Sequence, residues 1–191
     1  MGIPRVHAIE IAGLRRELPV VQVGPGLAIA VLNILGDTAL IQAAARALAL
    51  RLVSVAYDVI MTAEAKSIPL AHAVSVETSR PYIVLRKSYK SYMGDALKVT
   101  TRSITTDHEQ TLFLDAKDRS LLTGRRVVLL DDVISTGSTL QGLRSIADRA
   151  GATIATVMAI CTEGDPDQWE GILALAHLPL FRDDSDANPR A

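Results

Sequence analysis

Residues 127–140, with the sequence VVLLDDVISTGSTL, decide the fold of this 191-residue chain. Four apolar residues open the stretch, a pattern typical of a parallel strand that is covered on both faces. Asp131 and Asp132 follow at the predicted end of this strand, and a loop of small residues then leads into a predicted helix. Because open α/β sheets bind ligands beyond the carboxyl ends of their strands, the two acids predict a binding site.

The loop that follows the acids is suited to an anion. It supplies hydroxyls and unpaired backbone N–H groups at the positive end of the predicted helix. The acids instead accept hydrogen bonds from hydroxyl groups, and a ribose 5-phosphate offers both kinds of partner. A P-loop nucleotide site is disfavoured because no Gly-Lys-Ser/Thr follows the glycine, while a solvated Asp pair before a helix cap is the simpler alternative. The loop residues are Ser135, Thr136, Gly137, Ser138 and Thr139.

This stretch resembles the phosphoribosyl pyrophosphate (PRPP) signature of the type I phosphoribosyltransferases, in which an apolar strand, two acids, two apolar residues and a small-Thr-Gly loop follow one another. The resemblance implies that Asp131 and Asp132 bind the ribose hydroxyls and contribute to catalysis, and that Val133 and the loop surround the 5-phosphate. It also implies an α/β fold with a central, mostly parallel sheet flanked by helices, a small N-terminal hood and a flexible lid loop.

Charge and cysteine content restrict the class of protein. The chain has 20 Lys and Arg against 21 Asp and Glu, a formal net charge of −1, so binding to nucleic acid or to membranes is not expected. Cys161 is the only cysteine, which rules out an internal disulfide and fits a reducing compartment such as the cytoplasm. The first residues, MGIPRVHAIEIAG, lack the uninterrupted apolar core of a signal peptide.

Predicted strands and helices alternate along the chain, which favours a single domain over residues 1–191 with a parallel sheet between helices. Residues 1–36 are interpreted as an N-terminal helix over residues 6–18 followed by the strand–turn–strand of the hood, residues 37–181 as the core, and residues 182–191 as a disordered tail. In the core, helices are predicted over residues 37–52, 67–77, 138–149 and 168–176, and strands over residues 58–62, 82–86, 111–114, 127–130 and 153–162.

A second candidate anion site follows the predicted strand over residues 58–62. Glu64, Ala65 and Lys66 form a strand-to-helix turn, where helix N–H groups and the Lys66 ammonium both favour an anion. In the resembled family this turn binds pyrophosphate through backbone N–H groups and commonly carries a basic residue at the Lys66 position, so Lys66 is also a candidate catalytic residue. The alternative is an exposed lysine near a helix start.

A third basic group, formed by Arg86, Lys87 and Lys90, follows the predicted strand over residues 82–86. Such a group is either a solvated face or a receptor for pyrophosphate, whose several negative charges accept strong charge-assisted hydrogen bonds. The Arg-Lys pair resembles that of the adenine and related purine members of the family. The resemblance therefore implies PRPP contacts for all three residues and a catalytic role for Arg86.

Residues 90–110 correspond in placement to the family's lid, a loop that closes over the substrate and excludes water. The adenine enzymes often place a Glu-Tyr pair near the positions of Thr106 and Asp107, and neither residue type is matched here. The stretch from residue 105 onward is closer to the purine repressor and xanthine branch of the family.

The hood and the end of the predicted strand over residues 153–162 are the expected walls of a base site. Residues 25–32 resemble the hood of adenine phosphoribosyltransferases, but apolar residues replace its stacking aromatic and its Arg-Asp pair. Glu163 either accepts a hydrogen bond from a purine N–H or caps the following turn. The expected base contacts are Ala28, Ile29, Glu163 and Gly164.

The resemblance as a whole implies a purine phosphoribosyltransferase of purine salvage, which transfers the 5-phosphoribosyl group from PRPP to a purine and releases pyrophosphate. Adenine, giving AMP, is the expected base, and xanthine, guanine and hypoxanthine are the alternatives. Mg²⁺ is expected to arrive with PRPP rather than in a dedicated protein site, and a homodimer is expected by analogy. A PRPP-sensing regulator that turns over no base is the alternative from another class.

Overall fold

The computed structural model describes residues 3–102 and 109–182. Its centre is a five-stranded sheet in which every neighbouring pair of strands is parallel, as the alternating sequence pattern predicts. The strand order is β10–β9–β8–β4–β5, so chain order and spatial order differ. The five strands are β4 (Val59–Ala63), β5 (Tyr82–Leu85), β8 (Arg126–Ile134), β9 (Thr153–Glu163) and β10 (Leu173–Leu178).

Four helices accompany this sheet: α1 (Thr38–Arg51), α2 (Ile68–Thr78), α3 (Arg119–Leu122) and α4 (Ser138–Arg149). The predicted helices over residues 37–52, 67–77 and 138–149 are confirmed to within a residue or two at each end. Asp37 caps α1, because its carboxylate accepts a hydrogen bond from the backbone N–H of Leu40 at 3.1 Å. The same carboxylate pairs with Arg16 Nε at 2.7 Å, which fastens the N-terminal segment to the core.

The predicted N-terminal helix over residues 6–18 is wrong, because this segment forms a β-hairpin. Strands β1 (Val6–Ile11) and β2 (Leu14–Gly24) are antiparallel, and Ala12 and Gly13 between them have φ angles of 50° and 78°. Two successive positive φ angles are the requirement of the tight hairpin turn that suits the strand twist. The spacing of the apolar residues resembles a helical period, but the Ala-Gly turn divides the segment in two.

The hood is an antiparallel sheet with the order β1–β2–β3–β11, in which β3 is Leu27–Ala30 and β11 is Leu180–Arg182. The predicted strand–turn–strand over residues 18–35 is confirmed by β2 and β3. Arg182, predicted to begin a disordered tail, is instead the last residue of β11 and pairs with Leu27. The rest of that predicted tail lies outside the described residues.

The predicted helix over residues 168–176 is also wrong. A short 3₁₀ helix spans Pro166–Trp169, Gly171 then takes a φ of 81°, and β10 pairs in parallel with β9. Gly171 ends any helix here, and the apolar run that follows fits an edge strand beside a buried one. Strand β10 belongs to the central sheet and β11 to the hood, so residues 173–182 join the two sheets.

Apolar side chains cover both faces of the central sheet, so its strands are buried as the uninterrupted run in residues 127–130 predicts. Helices α1 and α2 and the hood cover one face, while α4 and the antiparallel hairpin of β6 (Leu97–Arg102) and β7 (Glu109–Leu114) cover the other. This hairpin occupies the predicted lid, but Thr106 and Asp107 lie outside the described residues. No helix in the described ranges is both long and apolar enough to cross a membrane.

Candidate functional site

The two acids lie near the carboxyl end of β8, which extends four residues beyond the predicted strand. A single hydroxyl organises them: Ser67 Oγ lies 2.7 Å from Asp131 Oδ1 and 3.0 Å from Asp132 Oδ1. The same oxygen accepts the backbone N–H of Asp132 at 2.9 Å. Ser67 comes immediately before α2, so this contact joins the predicted acid pair to the predicted pyrophosphate turn.

Asp132 retains an unused acceptor. Its side chain is only 10% exposed, and within the described ranges its Oδ2 atom has no hydrogen bond. Lys66 Nζ lies 3.6 Å from this oxygen and is half exposed, so the charge is balanced while the lone pairs of Oδ2 stay available. A buried acceptor without a donor is costly, and a ligand hydroxyl would remove that cost.

Asp131 ionises with difficulty. Burial, and then the negative charge of Asp132, raises its pKa to about 7, although the Ser67 hydrogen bond acts in the opposite direction. With a pKa of about 7, the Asp131 carboxyl is therefore only partly ionised near neutral pH. Donors from a ligand would favour the ionised form of Asp131.

This pKa makes the stability of the free protein depend on pH. A carboxyl whose folded pKa of about 7 exceeds its unfolded value of 3.8 stabilises the fold below about pH 4 and loses that contribution as the pH rises to about 7. Between these limits we expect the free energy of unfolding of the wild type to fall relative to that of Asp131→Asn, as measured by urea denaturation at each pH. Parallel pH profiles for the two proteins would contradict the assignment.

The loop after β8 forms a donor-lined concavity at the start of α4. Gly137 has a φ of 75° and lies directly before the first helical residue, Ser138, whose N–H donates to Thr136 Oγ1 at a long 3.4 Å. The start of α4 thus turns its N–H groups toward the loop, where an anion would accept from them. Ser138 accepts a hydrogen bond from Thr136 Oγ1 at 3.2 Å. The small pocket at this loop is lined by Asp131, Val133, Ile134, Ser135, Thr136, Gly137, Ser138, Thr139 and Leu140.

The second predicted motif lies beside the acids. The Glu64–Ala65 peptide bond in the turn is cis. A cleft of about 130 Å³ brings together this turn and the acid pair. Lys87 of the predicted basic group and Thr139 of the predicted phosphate loop also line it. Its lining residues are Ala63, Glu64, Ala65, Lys66, Ser67, Lys87, Asp131, Asp132, Val133 and Thr139.

Glu64 connects the third basic group to the turn. Its carboxylate pairs with Arg86 Nε at 2.5 Å and accepts the backbone N–H of Lys87 at 2.5 Å. Arg86 also donates from Nη1 to the Tyr92 hydroxyl at 3.1 Å and lines a neighbouring groove. Of the three predicted basic residues, Lys87 lines the cleft, Arg86 is joined to it through Glu64, and Lys90 is not among the lining residues.

The predicted base walls meet through β11. Gly164 follows β9, and a Cβ built on it would lie 3.7 Å from Leu180 Cδ1. Leu180 in turn pairs with Ile29 of the hood. Ile29 is half-buried and Ala28 is fully buried, so Ile29 is the more accessible of the two hood residues. Glu163 is buried at the end of β9.

Three organising residues were missed by sequence reasoning: Ser67, Trp169 and His177. Trp169 Nε1 donates to the Glu163 carbonyl at 2.7 Å, and its ring lies against Gly137. His177 contacts both Thr162 and Gly164. Ser67 belongs to the predicted strand-to-helix turn as the small polar residue at the helix start. The position of Trp169 depends on a 3₁₀ helix, and that of His177 on strand β10, neither of which was predicted.

The fold and this arrangement define a class: α/β proteins with a parallel sheet and an anion-binding loop at the carboxyl ends of its strands. Within that class, residues 32–173 match the model of the phosphoribosyl transferase domain, and the chain belongs to this family. The predicted type I phosphoribosyltransferase fold is thereby confirmed.

Named relatives and solved structures agree with the family. The hypoxanthine/guanine phosphoribosyltransferase of Methanococcus maripaludis is 35% identical over 116 residues, covering 61% of this chain and 59% of the relative. That of Methanocella paludicola is 32% identical over 131 residues, covering 69% and 65%. The chain thus spans about three fifths of the length of the curated relatives it matches.

Solved structures of adenine phosphoribosyltransferases are similar to this chain. The adenine phosphoribosyltransferase of Thermoanaerobacter pseudethanolicus superimposes with a TM-score of 0.69 at 17% identity, over 84% of this chain and 95% of the other. The Giardia lamblia enzyme complexed with 9-deazaadenine gives 0.70 at 20% identity, over 84% and 93%. At these identities the likeness establishes the fold.

Proposed function

We propose that the protein is a purine phosphoribosyltransferase, which transfers the 5-phosphoribosyl group from PRPP to a purine ring nitrogen and releases pyrophosphate. The observation that carries the proposal is the convergence of an acid pair, a donor-rich helix start and a cationic turn around one edge of the sheet. PRPP presents hydroxyls, a phosphate and a pyrophosphate, which are the complementary groups.

Each part of PRPP has a proposed partner. Asp131 and Asp132 accept hydrogen bonds from the ribose hydroxyls, since Asp132 Oδ2 lacks a donor among the described residues. Val133 and residues 135–139 surround the 5-phosphate with N–H groups and hydroxyls. The proposed pyrophosphate contacts are Glu64, Ala65, Lys66, Arg86 and Lys87, together with Lys90 from the loop after β5.

Catalysis in this proposal is positioning together with charge stabilisation. A sugar with oxocarbenium character carries positive charge, which the carboxylates favour, while Lys66 and Arg86 stabilise the departing pyrophosphate. Mg²⁺ would be carried mainly by the pyrophosphate and ribose hydroxyls of PRPP, because it prefers oxygen ligands and is usually shared with substrate phosphates, while Asp131 and Asp132 hold the ribose. It would neutralise pyrophosphate charge. No cluster of three or more acid, His or Cys side chains in the described ranges forms a separate metal site.

The base is a purine bound between the hood and the end of β9, with Ala28, Ile29, Glu163 and Gly164 as the proposed contacts. Hood placement and the Arg86-Lys87 pair support adenine, giving AMP. The names of the relatives support hypoxanthine and guanine. The proposal includes a cytoplasmic homodimer with a role in purine salvage, as the resemblance implies.

A turnover assay tests the proposal directly. The protein is incubated with PRPP and Mg²⁺ against adenine, hypoxanthine, guanine and xanthine in turn, and pyrophosphate release and nucleotide formation are followed. Formation of a nucleotide from any of these bases is the expected result. PRPP binding by calorimetry without turnover of any base would replace the enzyme by a PRPP-sensing regulator.

Lys66→Ala is expected to weaken pyrophosphate binding on the order of tenfold, since it removes a charge-assisted contact. Binding of the product nucleotide, whose phosphate lies in the other loop, should change much less. Calorimetric titrations with pyrophosphate and with the nucleotide measure both effects. Lys98→Ala, which removes an exposed lysine on β6, is the matched control. Equal losses for both ligands in Lys66→Ala would remove the turn from the pyrophosphate site.

A further inference from the structure

We propose that the carboxylate of Glu163 selects the purine base and favours guanine, whose adjacent N1–H and N2–H donors match its two oxygens. This inference rests on the proposed function and deepens it, since it commits to one base among the purines. It assigns to Glu163 a specificity role, and to Trp169 and His177 the role of positioning it.

Glu163 is a buried acid without a partner. The residue is 8% exposed, and within the described ranges its carboxylate makes neither a hydrogen bond nor an ion pair. Burial alone raises its pKa, with no contribution from a neighbouring cation. The Glu163 oxygens are not among the fully buried atoms that lack a partner in the described part of the chain, so they still reach solvent at this ligand-binding edge. Because the residue as a whole is buried, donors from a ligand would replace that water and pair the carboxylate. The alternative function considered from sequence, a cap on the following turn, is not observed.

The backbone around Glu163 is held in place by side chains. Trp169 Nε1 donates to the Glu163 carbonyl at 2.7 Å. His177 Nε2 lies 3.0 Å from the Gly164 carbonyl, which can only accept, so Nε2 donates. In the neutral imidazole, Nδ1 then accepts the Thr162 hydroxyl at 3.0 Å. Three consecutive residues are thus fixed, while the carboxylate between them stays free to meet a ligand. Such pre-organisation is what selective recognition requires.

Glu163 lies between the acid pair and the hood. In the register of β8 and β9, Val133 pairs with Cys161 and Ile134 with Thr162, so Glu163 ends its strand at the same sheet edge as the acid pair. On the other side, the next residue, Gly164, meets Leu180, which pairs with Ile29 of the hood. A base joined to a ribose on Asp131 and Asp132 and covered by the hood therefore reaches Glu163.

The purines differ in the groups that they present to a carboxylate. Guanine offers two adjacent donors, N1–H and the N2 amino group, and both oxygens of an ionised Glu163 accept them. Hypoxanthine offers N1–H alone, and adenine offers its amino group next to the N1 acceptor, which faces a carboxylate oxygen unfavourably. A site built to accept hydrogen bonds discriminates strongly against a base that leaves its buried group unpaired.

The test compares Glu163→Gln with the wild type. An amide replaces one acceptor oxygen by a donor, so we expect kcat/KM for guanine to fall on the order of 10- to 100-fold while the values for adenine and hypoxanthine fall less or rise. Glu170→Gln, at an exposed acid nearby, is the matched control and should leave all three values unchanged. Trp169→Phe removes the N–H donor but keeps a ring beside Gly137, and should reduce the ratio of guanine to adenine turnover.

Calorimetry with GMP and AMP gives a second readout that is independent of turnover. The inference requires tighter GMP binding in the wild type and loss of that preference in Glu163→Gln. It is overturned if the wild type prefers adenine or AMP, or if Glu163→Gln reduces every base and nucleotide equally. Absence of turnover with all bases, alongside a preference for GMP that depends on Glu163, would overturn the proposed function and leave this inference standing.

Discussion

Replacement of Asp132 by Asn is expected to weaken PRPP binding on the order of 10- to 100-fold, because hydrogen bonds to a charged acceptor contribute about 1.5–3 kcal/mol. The carboxylate is nearly buried, shares the Ser67 hydroxyl with Asp131 and keeps Oδ2 without a donor in the described part of the chain. An amide of the same shape removes the charge opposite Lys66 and turns one acceptor into a donor toward a ribose hydroxyl. Calorimetric titration with PRPP and Mg²⁺ measures the change.

The control for this variant is Asp148→Asn, the same substitution on the exposed surface of α4. It should leave PRPP affinity unchanged, and thermal unfolding of both variants separates loss of binding from loss of fold. If Asp132→Asn folds and binds PRPP as tightly as the wild type, the ribose hydroxyls are bound elsewhere and the assignment of the acid pair is wrong.

Gly137→Val is expected to lower turnover on the order of 100-fold or more, which is the cost of displacing a positioned phosphate by about an ångström. The residue has a φ of 75°, a conformation that a β-branched side chain rarely adopts, and straining it costs about 1–3 kcal/mol. A Cβ at this position would also lie 3.3 Å from Cη2 of Trp169. The backbone N–H groups of the loop then shift away from the phosphate.

The variant Gly151→Val distinguishes the effect of backbone strain from the effect of losing the phosphate-binding loop. Gly151 follows α4 with a φ of 73°, and a Cβ there meets nothing within 4 Å. Both variants should lose stability by a similar amount in thermal denaturation, but only Gly137→Val should lose PRPP affinity and turnover. Full activity in Gly137→Val would mean that this loop does not bind the phosphate, and equal loss in the two variants would assign the effect to strain alone.

Much of the central sheet follows from local sequence pattern. The apolar run in residues 127–130 predicts a strand buried on both faces, and β8 is covered by helices on one side and by α4 with a hairpin on the other. The two wrong helix predictions also have a local cause. Residues 6–18 have apolar spacing compatible with a helix, but the Ala12-Gly13 turn makes a hairpin, and Gly171 stops the predicted final helix so that β10 can form.

The motifs of the candidate site were predicted separately, and one physical rule explains why they meet. Parallel strands end at the same edge, so motifs following β4 and β8 meet there, and Lys66 lies 3.6 Å from Asp132 as a result. Lys90 follows β5 by several residues, and its position in the loop is not fixed by that rule. It lies outside the cleft that Lys87 helps to line.

Sequence by itself determined the strands β4, β5, β8 and β9, the two acids and the donor loop, because periodicity and helix-start chemistry are local properties of the chain. Only the tertiary structure decided the partners of those groups. The Ser67 hydroxyl reaches both acids across two elements, and Trp169, at the end of a short 3₁₀ helix, contacts both Gly137 and Glu163. Contacts between residues distant in sequence depend on strand order and register, which no local pattern encodes.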